Sequence, residues 1–292
     1  MKYEEFMVSV KAATEERLGE DVQVQLHRIT KNNSVVLDGM SIRREGNGIA
    51  PTIYLNDFYR DYQDGADMSE ILDAVEKIYE KSLENASFDG DFYMDFENVR
   101  KHLACRIINR ERNSELLKKI PHRDFLDLAA VVYYYFENDQ MGTGTILVHD
   151  SHLKNWQVDA QELLEIAREN TRKLLPEEFV SMRQLLEKYH VLSEEDTQEN
   201  SMYVLTNKGN WFGAVYMMYD CILEKIGEKL ETDFWILPSS IHECIIVPVK
   251  ISMTKQGLEE MVREINRSEV DEEEFLSDRV YLYQRDVHRL RM

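Results

Sequence analysis

The sequence predicts an α+β protein with mixed or antiparallel sheets, helices packed on one face, and hairpins alternating with helices. Three observations predict it. Val22, Val24 and Leu26 alternate with Gln23, Gln25 and His27, the period of a half-buried strand. Ile71, Leu72, Val75, Ile78 and Tyr79 repeat at helical spacing. The last third reads β-β-α-β-β-α-β, and hairpins between helices suit antiparallel neighbours.

An amphipathic helix opens the chain through Tyr3, Phe6, Met7, Val10 and Ala13, and Gly19 ends it. After the strand at Val22–Leu26, residues 31–34 are a turn. Val35–Leu37 and Ile42 give a second strand, with Asp38-Gly39 expected as a turn or bulge between its halves. Residues 49–55 are extended, Pro51 marking an edge or a strand start, and Leu55–Tyr62 suits a short helix. Asp67 with Glu70 caps the helix that follows. The polar run Asn85–Asp91, with Gly90, divides a small N-terminal α-β-β-α unit (1–88) from a larger α+β unit (89–292).

In the larger unit a strand is expected at Leu103–Ile108, then a short helix from Asn113 that Pro121 stops. Phe125–Phe136 reads as one long strand rich in Val and Tyr. Thr145–Val148 is its partner, with Gly142 and Gly144 as a hairpin turn. A helix over Asp159–Lys173 ends before Pro176, and another covers Met182–Tyr189. Met202–Thr206 and Trp211–Met217 are expected as a hairpin. Helix Cys221–Leu230, strands Phe234–Leu237 and Cys244–Val249, helix Leu258–Ile265 and strand Val280–Tyr283 complete the chain.

Composition bounds the function. Of 292 residues 43% are hydrophobic, which supplies a core and excludes disordered and low-complexity classes. The longest apolar run, Leu128–Phe136, has nine residues, whereas a spanning helix needs roughly twenty. No apolar stretch follows Met1, so a cytoplasmic location without membrane contact is expected. Cys105, Cys221 and Cys244 form no CxxC pair, which leaves buried free thiols as the reading. A net charge of −20 argues against nucleic acid as a partner. Asp57–Glu97 holds thirteen acids against three bases, and this segment is nominated as the surface for a basic protein partner. The basic tail Arg285–Met292 reads as frayed, or as a counterpart to that acidic segment.

Two constellations carry candidate chemistry. Ser240, His242 and Glu243 lie between two apolar strands, and an extended segment puts Ser240 and His242 on one side. That set makes a hydrolase nucleophile, base and carboxylate conceivable, against a turn whose hydroxyls bond backbone. His149 and His152 share a helix face with Asp150 nearby, a metal-ligand spacing that also suits helix capping. Asp124 and Asp127 flank a loop with Arg123, read as an ion pair. Asp89–Arg100 fails the calcium-loop pattern, with Tyr93 and Met94 at positions five and six. Aromatics near the strands, Tyr133–Tyr135, Trp211 and Phe212 among them, read as core and sheet surface.

Three stretches carry a family likeness: Ser34–Gly39 with Pro51–Asn56, Ile120–Ala129, and Ile236–Glu243 with Ser277–Tyr281. Over nearly the whole chain the sequence resembles an uncharacterised family of gut clostridial (Lachnospiraceae-type) proteins, described as a domain of unknown function. The second half, from Asn170–Pro176 to Pro238, is similar to another uncharacterised family found in bacilli. These resemblances imply a cytoplasmic bacterial protein and no activity, ligand or catalytic residue. The expectation is therefore a non-catalytic binding or protein-interaction protein without a cofactor. The alternatives are a hydrolase at Ser240, His242 and Glu243, or a metal-dependent enzyme at His149 and His152.

Overall fold

The computed structural model describes residues 1–19, 21–44, 52–84, 93–138, 142–188, 202–250 and 253–292. The chain divides into two compact units: Met1–Asp95 with Phe136–Gly144, and Phe96–Tyr135 with Thr145–Met292. The expected boundary near Gly90 and the segment Asp89–Asp91 lie outside the described residues.

The first unit is built on an apolar helix stripe against a small sheet. Helix α1 (Tyr3–Leu18) buries Phe6 and Val10, and Gly19 ends it with φ +87°. Strands β1 (Val22–Thr30), β2 (Val36–Arg44) and β3 (Thr52–Tyr54) pair antiparallel in that order. Helices α2 (Leu55–Gln63) and α3 (Met68–Glu84) complete the core with Leu55, Ile71, Val75 and Tyr79. The Asp67–Glu70 capping box forms as expected, with both reciprocal bonds at 2.9 Å. The expected break at Asp38-Gly39 does not occur. β2 runs straight through, and Gly39 pairs with His27 and Tyr54. A Cβ there would lie 2.7 Å from Thr52 Cγ2, so this glycine serves close packing rather than a turn.

The rest of the chain holds two sheets. Strands β4 (Leu103–Asn109), β5 (His122–Phe125) and β6 (Leu128–Asn138) form one in the order β4-β6-β5, and β7 (Gly142–Leu147) pairs with β6. The end of β6 and the start of β7 fall in Phe136–Gly144, which belongs to the first unit. The single strand expected over Phe125–Phe136 is broken, because Leu126 takes φ +56° and turns β5 back onto β6. Gly144 lies inside β7 rather than in a turn, under the ring of Phe136. Short helices α4 (Phe96–Val99), α5 (Ser114–Leu117) and α6 (Asp150–Trp156) lead to α7 (Ala160–Leu174). The Asp159 side chain caps α7 by accepting the amides of Gln161 and Glu162. Thr171 stitches α7 to β4: its Oγ1 donates to Ala167 O at 2.7 Å and accepts the Cys105 amide at 2.8 Å.

The other sheet is antiparallel, in the order β13-β12-β10-β11-β9-β8. Its strands are β8 (Glu177–Ser181), β9 (Tyr203–Asn207), β10 (Phe234–Leu237), β11 (Cys244–Pro248), β12 (Tyr281–Gln284) and β13 (Arg289–Arg291). Helix α8 (Met182–Lys188) follows β8, α9 (Asp220–Leu230) precedes β10, and α10 (Lys255–Ser268) follows β11. Leu237 and Val247 pack with Leu258 and Val262 of α10. Strand alternation turns Phe234 to the opposite face, where it stacks on Tyr283 at 4.8 Å.

Two expectations fail here. Trp211–Met217 is not a return strand, since Gly213–Met218 winds as a buried 3-10 turn; an unbroken apolar run does not distinguish the two. The tail is not frayed: β13 pairs with β12, and His288 stands 3.7 Å from Glu224. Among the described residues no helix is long and apolar enough to cross a membrane.

Candidate functional site

The Ser240–Glu243 loop joins β10 to β11. Ser240 is 5% exposed, and its Oγ accepts the His242 amide at 3.0 Å. Both nitrogens of His242 face other groups. Nδ1 accepts the Phe212 amide at 3.3 Å, and Nε2 stands 3.3 Å from Glu274 Oε1. That bonding places the ring proton on Nε2, towards a carboxylate. The expected nucleophile–base pair is therefore not assembled, because the hydroxyl is committed to the loop and the imidazole to its neighbours. Burial raises the Glu243 carboxyl above its ordinary range, against the pull of His242 and of a bond from Ser240.

The expected metal residues also take another role. His149 and His152 form a reciprocal capping box at the start of α6, with His152 Nδ1 accepting the His149 amide at 3.1 Å. Their rings meet edge to face at 5.9 Å, and His152 packs on Trp156 at 5.5 Å. Asp150 opens the helix beside them. Among the described residues no three His, Cys, Asp or Glu side chains gather as a metal set. Burial, then the neighbouring His149, lowers the pKa of His152 below its ordinary value.

The Asp124–Asp127 pair separates as well. Asp124 pairs with Arg110 at 3.0 Å. Asp127 accepts from Tyr281 Oη at 2.5 Å and from Ser277 Oγ at 2.9 Å, which ties the loop before β6 to the end of the larger sheet. The aspartate and the tyrosine satisfy one another in a buried network of structural type.

A concave surface lies elsewhere, along α7. A groove of about 570 Å³ is lined by Arg168, Glu169, Arg172, Lys173 and Tyr219. Arg168 and Tyr219 also border a cavity of about 20 Å³, room for one water, lined with Cys105, Arg123, Ala130, Leu164, Val215 and Met218. Three α7 cations thus line the groove, and Arg123 the small cavity beside it, in a chain of net charge −20. Arg168 and Arg172 are each held by several contacts. Tyr219 Oη donates to Arg168 O at 2.7 Å, and Tyr216 Oη donates to Leu175 O. Arg168 lies 5.3 Å over the Tyr219 ring and donates to Met218 O at 3.4 Å. Arg172 grips Glu177 through two bonds, the shorter 2.8 Å, and this holds the Glu177 carboxyl below its ordinary range. Burial pushes the Cys105 thiol up to about 12, so the cavity wall is a neutral thiol.

The sequence reading missed this groove. Its signal was present: Arg168 and Arg172 are four apart on the predicted helix, with Lys173 following, in an acidic chain. Cys221 was also misplaced. It is exposed at the start of α9, with Arg172 Nη1 at 3.5 Å, while Ile222, Leu223 and Ile226 take the core face.

No curated protein and no solved structure matches the chain. One family model matches residues 3–285, and its family is described only as one of unknown function. On that match, which spans nearly the whole length, the chain belongs to the family of unknown function DUF5688.

Proposed function

We propose that the protein is a non-catalytic binding protein that takes an anionic ligand in the α7 groove. The observation that carries this reading is the gathering of Arg168, Arg172 and Lys173 along one groove, with Arg123 in the small cavity that shares Arg168 and Tyr219 with it. The net charge repels anions at long range, but screening confines that repulsion to about 8 Å at physiological salt. Local cations then decide what the groove attracts. With Arg172 paired to Glu177, Arg168 and Lys173 against Glu169 leave one surplus positive charge in the groove, and Arg123 adds a second at the neighbouring cavity. Thermal melts with tripolyphosphate, against potassium chloride at equal ionic strength, test the reading. A tripolyphosphate-specific rise in Tm that Arg168→Gln removes is expected. An equal rise in the variant contradicts it.

A second reading is favoured by the first unit. Asp57, Asp61, Asp64, Asp67, Glu70, Asp73 and Glu80 are exposed along α2 and α3. Arg60 pairs with Asp57, and Arg17 pairs with Asp73 and Glu76. The remaining negative field suits a basic protein partner captured by electrostatic steering. Its association rate falls steeply with added salt on this reading, and a salt-independent rate removes it.

A further inference from the structure

A second site follows from a cluster around Phe212, and it does not depend on the groove. Phe212 holds the left-handed conformation, φ +56° and ψ 29°, which an L-residue adopts only when its surroundings enforce it. The enforcement is visible. Asn207 bonds the Trp211 amide at 3.1 Å and the Trp211 carbonyl at 2.7 Å. Gly213 is pressed so close that a Cβ would stand 2.5 Å from Thr206 Oγ1 and 2.6 Å from the His242 carbonyl. His242 stacks on the Phe212 ring at 5.4 Å.

Three further side chains meet that ring. Arg106 lies over it at 4.8 Å, Tyr133 touches it edge-on at 5.2 Å, and Trp211 edge-on at 5.3 Å. Arg106 comes from β4 and Tyr133 from β6, on one face of their sheet by the pairing of Ala104 with Tyr133 and Arg106 with Val131. Arg106 Nε, Tyr133 Oη and Trp211 Nε1 are each sealed from water and without a hydrogen-bond partner among the described residues. Tyr133 is 1% exposed, whereas Arg106 and Trp211 are half-buried. Burial lowers the Arg106 pKa against the pull of Tyr133. Most buried polar groups in folded proteins find a partner, as Asp127 and Asn207 do here.

The chemistry of the orphans defines the missing partner. Arginine and indole N–H groups only donate, and the tyrosine hydroxyl can donate. A group that satisfies all three must offer several acceptors and a negative charge. We propose that Arg106, Tyr133 and Trp211 form an oxyanion site for a ligand bearing a carboxylate or phosphate group. Arg106 is the charged anchor, and the Phe212 ring is the platform that holds it. The site lies behind the groove: Cys105 lines the groove's cavity, and its neighbour Arg106 points to the opposite face of β4.

The test is titration of the full chain with inorganic phosphate and, separately, acetate, at constant ionic strength. Tryptophan fluorescence is read in the wild type and in Trp211→Phe, and the difference isolates Trp211 from Trp156 and Trp235. Saturable binding of one probe is expected, and which probe binds tells phosphate from carboxylate. Arg106→Met removes the charge at similar length and weakens binding about tenfold or more. Tyr133→Phe removes one hydroxyl and weakens it several-fold, while Arg183→Gln, exposed on α8 and outside both the groove and this site, leaves it unchanged. Saturable binding of neither probe overturns the proposal. So does equal affinity in the wild type and in both Arg106→Met and Tyr133→Phe.

Discussion

The Phe212 amide donates to Nδ1 of His242 at 3.3 Å while the two rings stack at 5.4 Å. One histidine thereby fixes both the backbone and the side chain of a residue in a left-handed conformation. The imidazole is a brace in this fold, and Gly213 beside it is what lets the segment come close.

Gly213→Ala tests that brace. The added Cβ meets Thr206 and the His242 carbonyl, and the loss expected for such overpacking is about 1–3 kcal/mol. Urea denaturation measures it. An unchanged midpoint contradicts the close approach.

Ser240→Ala separates a loop-holding hydroxyl from a nucleophile. The hydroxyl accepts the His242 amide, so its removal costs roughly 1 kcal/mol of stability. A melting temperature equal to the wild type, together with loss of a hydrolytic activity, reverses the assignment.

Asp127→Ala leaves the buried Tyr281 and Ser277 hydroxyls without their shared acceptor. The expected loss is roughly 2–4 kcal/mol, among the larger effects for a single residue. Denaturant melts check it, and a loss below about 1 kcal/mol shows the network to be dispensable.

His152 sets a pH dependence. Its folded pKa is depressed by burial and by His149, so the unfolded chain takes up the proton first as pH falls. The stability tied to neutral His152 is present above the ordinary value near 6.5 and declines as pH drops through and below it. Protonation also turns the Nδ1 acceptor of the His149 amide into a donor. His152→Gln is expected to flatten the stability profile between about pH 7 and 5. An identical slope in the variant contradicts the assignment.

Local signals in the sequence were reliable where one residue decided the outcome. Gly19 ended a helix, and Asp67 with Glu70 began one. Tertiary packing overrode such signals elsewhere. Leu126 broke a continuous apolar run because β5 folds back on β6, and Gly39 served contact with Thr52 rather than a turn. Strand β8 shows no alternating apolar pattern, and β13, with three residues, is too short for its alternation to register. The candidate chemistry at Ser240 and His242 was legible as residue types but not as bonding, because their partners Phe212 and Glu274 lie about thirty residues away on either side. The groove was half legible, as the Arg168–Arg172 spacing on α7, while Tyr219 reaches it only through the fold.

Calorimetric titration of tripolyphosphate into the full chain, at fixed ionic strength, tests the central claim most directly. The wild type is compared with the double variant Arg168→Gln/Lys173→Gln. Saturable binding weakened at least tenfold in the double variant is the predicted result, about 1.4 kcal/mol for the two lost charges. Equal affinity in both proteins, or no binding by the wild type, contradicts the account.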